Sequence, residues 1–365
     1  MNPRVVLIFG TRPEAIKMLP VARALRGRPG LEPITLVTGQ HREMLAQVLD
    51  AFDERVDLNL DVMRPGQGLA DLTSRLIEEV SGALRSLAPD LVLVHGDTTT
   101  AMAAALAAFY LRLPVGHVEA GLRSHDMGRP WPEEFNRVAV DALATLLFAP
   151  TETAADNLRR ESPRVRRILV TGNTGIDALL YMAARTPAAQ PVASGRRSVL
   201  VTAHRRESFG AGFEGICNGI ARIAARTDVE VTYPVHLNPE VREATAGLAA
   251  LDNVRLIEPV GYREMVGLMK GADVILTDSG GIQEEGPALG KPVLVLREVT
   301  ERPEALATGV VSLVGSDPER ICIETFRLLD DAAYYRSRAR PVFPYGDGAA
   351  AQQIADAVEA FLARS

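Results

Sequence analysis

Three carboxylates stand in segments whose residue types can move protons. Asp97 lies in His95-Gly-Asp-Thr-Thr-Thr100, Glu119 in His117-Val-Glu-Ala-Gly-Leu-Arg123, and Glu133 in Pro130-Trp-Pro-Glu-Glu-Phe-Asn-Arg137. Carboxylates gathered at one site push their pKa values apart and can divide general acid and general base work. Each also has a plainer reading. Asp97 before three threonines is an ordinary helix N-cap pattern. Glu133 suits the first turn of a helix and can pair with Arg137 one turn on. Glu119 is harder to explain structurally, because a carboxylate between an apolar run and Ala-Gly must find a partner or shift its pKa.

Cations and glycines supply a second chemistry, the holding of an anion. In Gly10-Thr-Arg-Pro-Glu-Ala-Ile-Lys17, Pro13 fits a first helical turn, with Arg12 before it and Lys17 about a turn in. Both can face a phosphate, or both can be solvated charges on a capped helix. His204, Arg205 and Arg206 form a compact cationic cluster, and His236 lies in Pro234-Val-His-Leu-Asn-Pro239. The run Val274–Thr277 ends in Asp278-Ser-Gly-Gly281, where the glycine pair allows a tight turn and close ligand approach. The N–H groups of the helix after it favour a phosphate, and Glu285, one turn further, can reach a sugar hydroxyl. All six histidines, at 41, 95, 117, 125, 204 and 236, fall at or near the ends of proposed strands.

These residues need a frame that brings strand ends together. Short β-branched runs at Val5–Phe9, Ile34–Thr38, Leu91–His95, Val115–Val118 and Ile168–Thr171 alternate with helical stretches such as Glu14–Arg26, Leu69–Leu87 and Thr99–Leu111. After Thr186 a Pro-, Ala-, Gly- and Ser-rich stretch reads as a linker. Alternation resumes with Val199–Thr202, Val229–Pro234, Val254–Ile257, Val274–Thr277 and Val293–Leu296. Such alternation implies parallel sheets covered by helices, so the fold class is α/β with two Rossmann-like domains. Ligands of such sheets bind beyond the carboxyl ends of the strands, which predicts a central cleft. The expected domains are residues 1–185, 186–345, and a C-terminal helix at 346–365 that crosses back to the first.

Composition narrows the function classes. The 365 residues are 47% hydrophobic and 24% charged, ordinary for a folded protein long enough for two cores. A net charge of -6 without a basic stripe argues against a nucleic-acid partner. The Ala-rich segment 101–111 falls short of the roughly 20 apolar residues that span a bilayer. The apolar run at the start is too short for a signal peptide, so no membrane partner and a cytoplasmic location are expected. Cys217 and Cys322 are too few for a disulfide framework. HExxH, CxxC, EF-hand and GxSxG patterns are absent, and the Gly10–Lys17 segment is no GxGxxG turn, so neither a protein-held metal nor a cofactor is expected.

The segments FGTRPEAIKMLP, TGQHREML, GDTTT, HVEAGLRS, PWPEEFNR, GNTGID, PVHLNP, ILTDSGGIQEEGPALGKPVLVLREVTERPEA and PYGDG, with Thr-Ala-His-Arg-Arg-Glu-Ser-Phe-Gly, occur in order from residue 9 to 348. Together they resemble the non-hydrolysing UDP-N-acetylglucosamine 2-epimerases. The resemblance implies a GT-B-like fold, a homodimer, and reversible inversion at C2 between UDP-GlcNAc and UDP-ManNAc, feeding cell-surface polysaccharide biosynthesis. It implies anti elimination of UDP to 2-acetamidoglucal, then re-addition. By motif, Asp97, Glu119, Glu133 and His204 match catalytic positions. Arg12, Lys17, His204, Ser279, Gly280 and Gly281 match diphosphate contacts, Glu285 the ribose contact, Arg302 a residue lining the cleft, and Met265 the residue against uracil. Gln40, His41, Glu43, Arg205, Arg206 and His236 lie in segments matching a second, activating UDP-GlcNAc site. Two departures stand there: Glu43 replaces a Gln, and Pro65-Gly66-Gln67 lacks an Arg. Three other readings keep the same nucleotide holder: a hydrolysing epimerase releasing ManNAc and UDP, a GT-B glycosyltransferase, and a catalytically silent UDP-sugar sensor.

Overall fold

The structure is a computed structural model that describes residues 2–39, 42–64, 66–161, 167–191, 195–204 and 210–364, with only the backbone of 42–44. It divides into two compact units, Met1–Leu180 with Tyr345–Ser365, and Tyr181–Pro344.

The first unit opens with β1 (Arg4–Phe9), α1 (Arg12–Arg26), β2 (Glu32–Val37), α2 (Arg42–Ala51) and β3 (Leu58–Asn59). It continues with α3 (Leu69–Leu87), β4 (Leu91–His95), α4 (Thr99–Tyr110), β5 (Val115–Val118) and α5 (Glu133–Leu143). Next come β6 (Leu146–Ala149), α6 (Glu152–Glu161), β7 (Arg167–Val170) and α7 (Thr174–Ala183). The strands run parallel in the order β3-β2-β1-β4-β5-β6-β7. Chain direction across the sheet therefore reverses between β1 and β4, and the loops beyond these two strands diverge there.

The central strands β1, β4, β5 and β6 are buried on both faces, which is why β4 reads LVLVH without alternation. Helix α4 is apolar all round because it lies in the core, and its alanines 101, 104, 105 and 108 pack against Val92, Val94 and Leu147. Small residues let it approach closely. A Cβ on Gly10 would stand 2.4 Å from Thr38 Oγ1 and 2.6 Å from Thr100 Oγ1.

The second unit contains β8 (Arg197–Thr202), α8 (Ala211–Ala224), β9 (Val229–Pro234), α9 (Pro239–Thr245), β10 (Val254–Ile257) and α10 (Tyr262–Gly271). It ends with β11 (Val274–Thr277), α11 (Gly280–Ala288), β12 (Val293–Val295), α12 (Pro303–Ala307), β13 (Val311–Leu313), α13 (Pro318–Asp330) and α14 (Ala332–Arg338). Its parallel order, β10-β9-β8-β11-β12-β13, repeats that of the first unit, with the reversal between β8 and β11. Its own core joins Val199, Val201, Ile216, Ile220, Val231 and Tyr233.

Helix α15 (Ala350–Leu362) belongs to the first unit and packs on α1. Arg28, just past α1, pairs with Asp356 and with Glu359 at 3.4 Å. The turn before α15 meets the loop after β7 backbone to backbone. Asn173 N donates to Tyr345 O at 2.6 Å, and a Cβ on Gly172 would lie 2.9 Å from Gly346 Cα.

Strands β3, β6 and β13 add to those expected from sequence. They are two to four residues long, and β6, LLFA, directly follows the apolar end of α5, so no break in pattern marks it. The stretch expected as a linker is pinned in part. Ala189 N donates to Gly267 O at 2.9 Å and Lys270 Nζ donates to Thr186 O. Missing side chains on α10 permit this, since a Cβ on Gly271 would meet Ala189 O at 2.1 Å.

Candidate functional site

The carboxyl edge of the first sheet gathers polar and ionisable groups from the ends of β1, β4, β5 and β7. Glu119 follows β5 directly and holds φ +66, a left-handed conformation that costs a side-chain-bearing residue about 1–3 kcal/mol. Its Oε2 accepts from the Lys17 ammonium and, at 2.8 Å, from Asn173 Nδ2. His95 Nε2, from the end of β4, lies 3.6 Å from the same oxygen. Burial pushes the Glu119 carboxyl up, but the Lys17 ammonium, with the His95 ring close by, outweighs it and holds it well below the usual carboxylate range. Glu119 is therefore an anion with a fixed orientation.

Lys17 reaches it because Thr11 caps α1 in a capping box with Glu14, and Pro13 sits in the first turn. The Lys17 stem passes Gly175, where a Cβ would lie 3.4 Å from Cε. Glu14, buried to 1% exposure, accepts from Gly10 N at 3.0 Å, Thr11 N at 2.7 Å and Thr98 Oγ1 at 2.6 Å. One buried carboxylate thus ties the loop after β1 to the loop after β4.

Asp97 is not the helix cap its sequence allowed. Thr98 caps α4, accepting from Ala101 N at 3.0 Å, so the Asp97 side chain is spent elsewhere. Its Oδ2 pairs with Arg137 at 2.5 Å and its backbone oxygen accepts from Asn136 Nδ2 at 2.9 Å. Arg137 therefore pairs with Asp97, and with Glu134 Oε2 at 3.5 Å, rather than with Glu133 as expected. Glu133 is the first residue of α5 and half-buried. Its neighbour Glu134 turns inward, accepting at 3.0 Å from both Ser124 N and His125 N. Beneath Gly96, the His117 ring bridges Asp141 Oδ1 (2.6 Å) and Gly96 O (2.9 Å). Burial raises the Asp141 carboxyl, yet His117 and Arg123 outweigh it and pull it below its ordinary value.

The second unit presents a different edge. Asp278, fully buried after β11, accepts from His204 N at 2.7 Å, and its Oδ1 lies 3.6 Å from His204 Nδ1. Ser279 is the N-cap residue before α11, and its side chain makes no cap bond to the helix. Gly280 is buried against Arg302, whose guanidinium carbon would stand 2.9 Å from a Cβ there. Arg302 is held by Glu284 at 2.8 Å and Glu301 at 2.9 Å. Gly281 is exposed. Glu285 Oε1 accepts from Tyr262 OH at 2.9 Å, and Met265 is half-buried on the first turn of α10. The His204 and His236 rings stack, centroids 5.2 Å apart and 9° from parallel.

Arg12 opens α1 and is half-buried. Gln40, His41, Arg205, Arg206 and the Glu43 side chain lie outside the described residues. Among those described, no cluster of His, Cys, Asp or Glu could hold a metal ion, and no helix is long and apolar enough to cross a membrane. Sequence reasoning gave no role to Glu14, Asn173, Glu134 or His95. The available signals were the motif positions of Glu14, Glu134 and Asn173, and the gathering of histidines at strand ends.

The family model described as UDP-N-acetylglucosamine 2-epimerase matches residues 23–359 of this chain. The UDP-N-acetylglucosamine 2-epimerase of Escherichia coli K12 is 51% identical over 372 residues, covering 98% of each chain. The crystal structure of UDP-GlcNAc 2-epimerase from Neisseria meningitidis bound to UDP-GlcNAc is 45% identical, with a TM-score of 0.90, covering 98% of this chain and 99% of that one. The Methanocaldococcus jannaschii UDP-GlcNAc 2-epimerase, crystallised with UDP-GlcNAc and UDP, is 33% identical, with a TM-score of 0.81 over 98% of this chain and 99% of that one.

Proposed function

The chain belongs to the UDP-N-acetylglucosamine 2-epimerase family, and on that premise we propose that it is a non-hydrolysing member interconverting UDP-GlcNAc and UDP-ManNAc. A base removes the C2 proton, the released electron pair forms the C1=C2 bond, and the C1–O bond to UDP breaks. UDP and 2-acetamidoglucal remain bound. Return of UDP to C1, with a proton delivered to the opposite face of C2, gives the epimer. The cycle is redox-neutral and needs no external electron acceptor.

One observation carries this reading: Glu119 is a buried carboxylate kept ionised by Lys17 and fixed by Asn173, at the same sheet edge as Asp97. An oriented anion of this kind suits proton transfer at carbon. We assign proton transfer to Asp97, Glu119 and Glu133, with His204 assisting at the diphosphate. Arg12, Lys17, Ser279, Gly280 and Gly281 hold the diphosphate, where helix N–H groups and cations stabilise the departing charge. Glu285 takes the ribose, Met265 packs on uracil, and Arg302 supports the phosphate turn. A homodimer, a cytoplasmic location and a supply of UDP-ManNAc to surface-polysaccharide synthesis belong to the same proposal. The two-domain division with the last helix returning to the first domain belongs to it too.

Incubation with UDP-GlcNAc in D₂O tests it. Deuterium at C2 in a mixture of UDP-GlcNAc and UDP-ManNAc is the expected result. Free ManNAc with UDP would place the chain among hydrolysing epimerases instead, and folded protein that exchanges no C2 hydrogen would remove the proposal.

A further inference from the structure

His95 is a buried polar side chain that the functional reading leaves without work. It ends β4 and is 4% exposed. Neither ring nitrogen has a hydrogen-bond partner among the described residues. An apolar ring would fill this space without the cost of stranding two polar atoms. The register places His95 opposite Val118, one residue before Glu119. Its Nε2 then lies 3.6 Å from Glu119 Oε2, just beyond hydrogen-bond reach. That oxygen already accepts from Lys17 and Asn173, while Oε1 has no partner among the described residues.

We propose that His95 is a positioning residue for Glu119, standing ready to donate through Nε2–H to Oε2 while Oε1 serves the reacting centre. The inference rests on the epimerase reading, in which Lys17 also contacts the diphosphate. One ammonium cannot stay fully on Glu119 while following a departing anion. When Lys17 is drawn away, a ring shift of less than about an ångström brings Nε2 into hydrogen-bond range. Glu119 then keeps two donors on Oε2 and stays an oriented anion through the step. The charged groups facing this pair are Lys17 from α1 and Glu119 itself. The His117–Asp141 pair adjoins at Gly96, next in the chain. Asn173 contributes a neutral amide from beyond β7.

His95→Phe is expected to lower the rate constant for C2 exchange by about ten- to a hundredfold, the value of a hydrogen bond to a charged group. The KM for UDP-GlcNAc should be unchanged, and the acid limb of the pH–rate profile should move to higher pH. His95→Gln, which restores an N–H donor, should recover much of the rate and return the acid limb toward its original position. Equal rates and an unmoved acid limb in both variants would overturn the proposal. Nitrogen-15 NMR of the wild-type His95 ring decides the matter without turnover, even where the Phe variant fails to fold. The ring should carry its proton on Nε2, with a signal that moves in Glu119→Gln; a proton on Nδ1, or a signal indifferent to Glu119, would overturn it. If wild-type protein exchanges no C2 hydrogen, the epimerase reading fails, and the ring measurement still tests the His95–Glu119 coupling separately.

Discussion

The two sheets share one strand order, yet their carboxyl edges are built from different materials. At the first edge the working atoms are side chains in opposite-charge pairs, Glu119 with Lys17 and Asp97 with Arg137. At the second they are largely backbone: the start of α11 at Ser279 and Gly280, with Asp278 fixing the neighbouring loop through His204 N. Side-chain pairs can change protonation and partner. A backbone turn can only hold what fits it. The same topology thus yields one edge suited to moving protons and another suited to gripping an anion.

The largest effect should come from breaking the first edge alone. Glu119→Gln keeps the shape but removes the charge, and should lower C2 exchange by about 10²–10⁴-fold while UDP affinity by calorimetry stays within a few-fold. Loss of UDP binding in parallel would mean that the two edges do not divide labour in this way. The converse change is Gly280→Ala. Its Cβ would collide with an Arg302 guanidinium pinned by Glu284 and Glu301, so KM should rise by about tenfold with kcat little altered.

Lys17→Met tests how the first edge sets its charge. The depressed Glu119 carboxyl contributes stability above its ordinary pKa, and that contribution is lost as pH falls through the folded value. Removing the ammonium should therefore raise the acid limb of the rate profile by about one pH unit or more.

The smallest effect concerns Asp177, on α7 within the first unit but away from the proton-handling pairs. Burial pushes its carboxyl up to about 6, against hydrogen bonds such as that from Ala351 N. The folded state then holds the extra proton between about pH 4 and 6, so stability falls across that window and the penalty persists above it. Asp177→Asn should raise stability at pH 8 by about 1–2 kcal/mol and converge with wild type only at about pH 4 and below in thermal melts. An unchanged C2 exchange rate in this variant would sharpen the separation between the unit's packing and its chemistry.

Much of the fold was legible because strands buried on both faces leave continuous β-branched runs that few other elements imitate. Strand β6 was not, since it adjoins an apolar helix end, and β3 is two residues long. At the site, residue types were legible but partners were not. Thr98 rather than Asp97 caps α4, and adjacent glutamates of one helix start have opposite fates, Glu134 inward and Glu133 at the margin. Helix phase decides such matters, and a shift of one residue turns a side chain by about 100°. Asn173 and His95 were invisible as partners of Glu119, because β4, β5 and β7 bring them together from distant parts of the chain.

The backbone contact between Asn173 and Tyr345 sets an order of events on the ribosome. Glu119 and its sheet are synthesised early, but the loop presenting Asn173 lacks its brace until residue 345 and α15 have been made. A nascent chain holding the whole first sheet would thus carry an unfinished centre while more than a hundred further residues emerge, on the order of ten seconds at typical elongation rates. The helix that completes the first unit follows the whole second unit in the chain, so the centre at Glu119 is expected to stay unfinished until both units have been made.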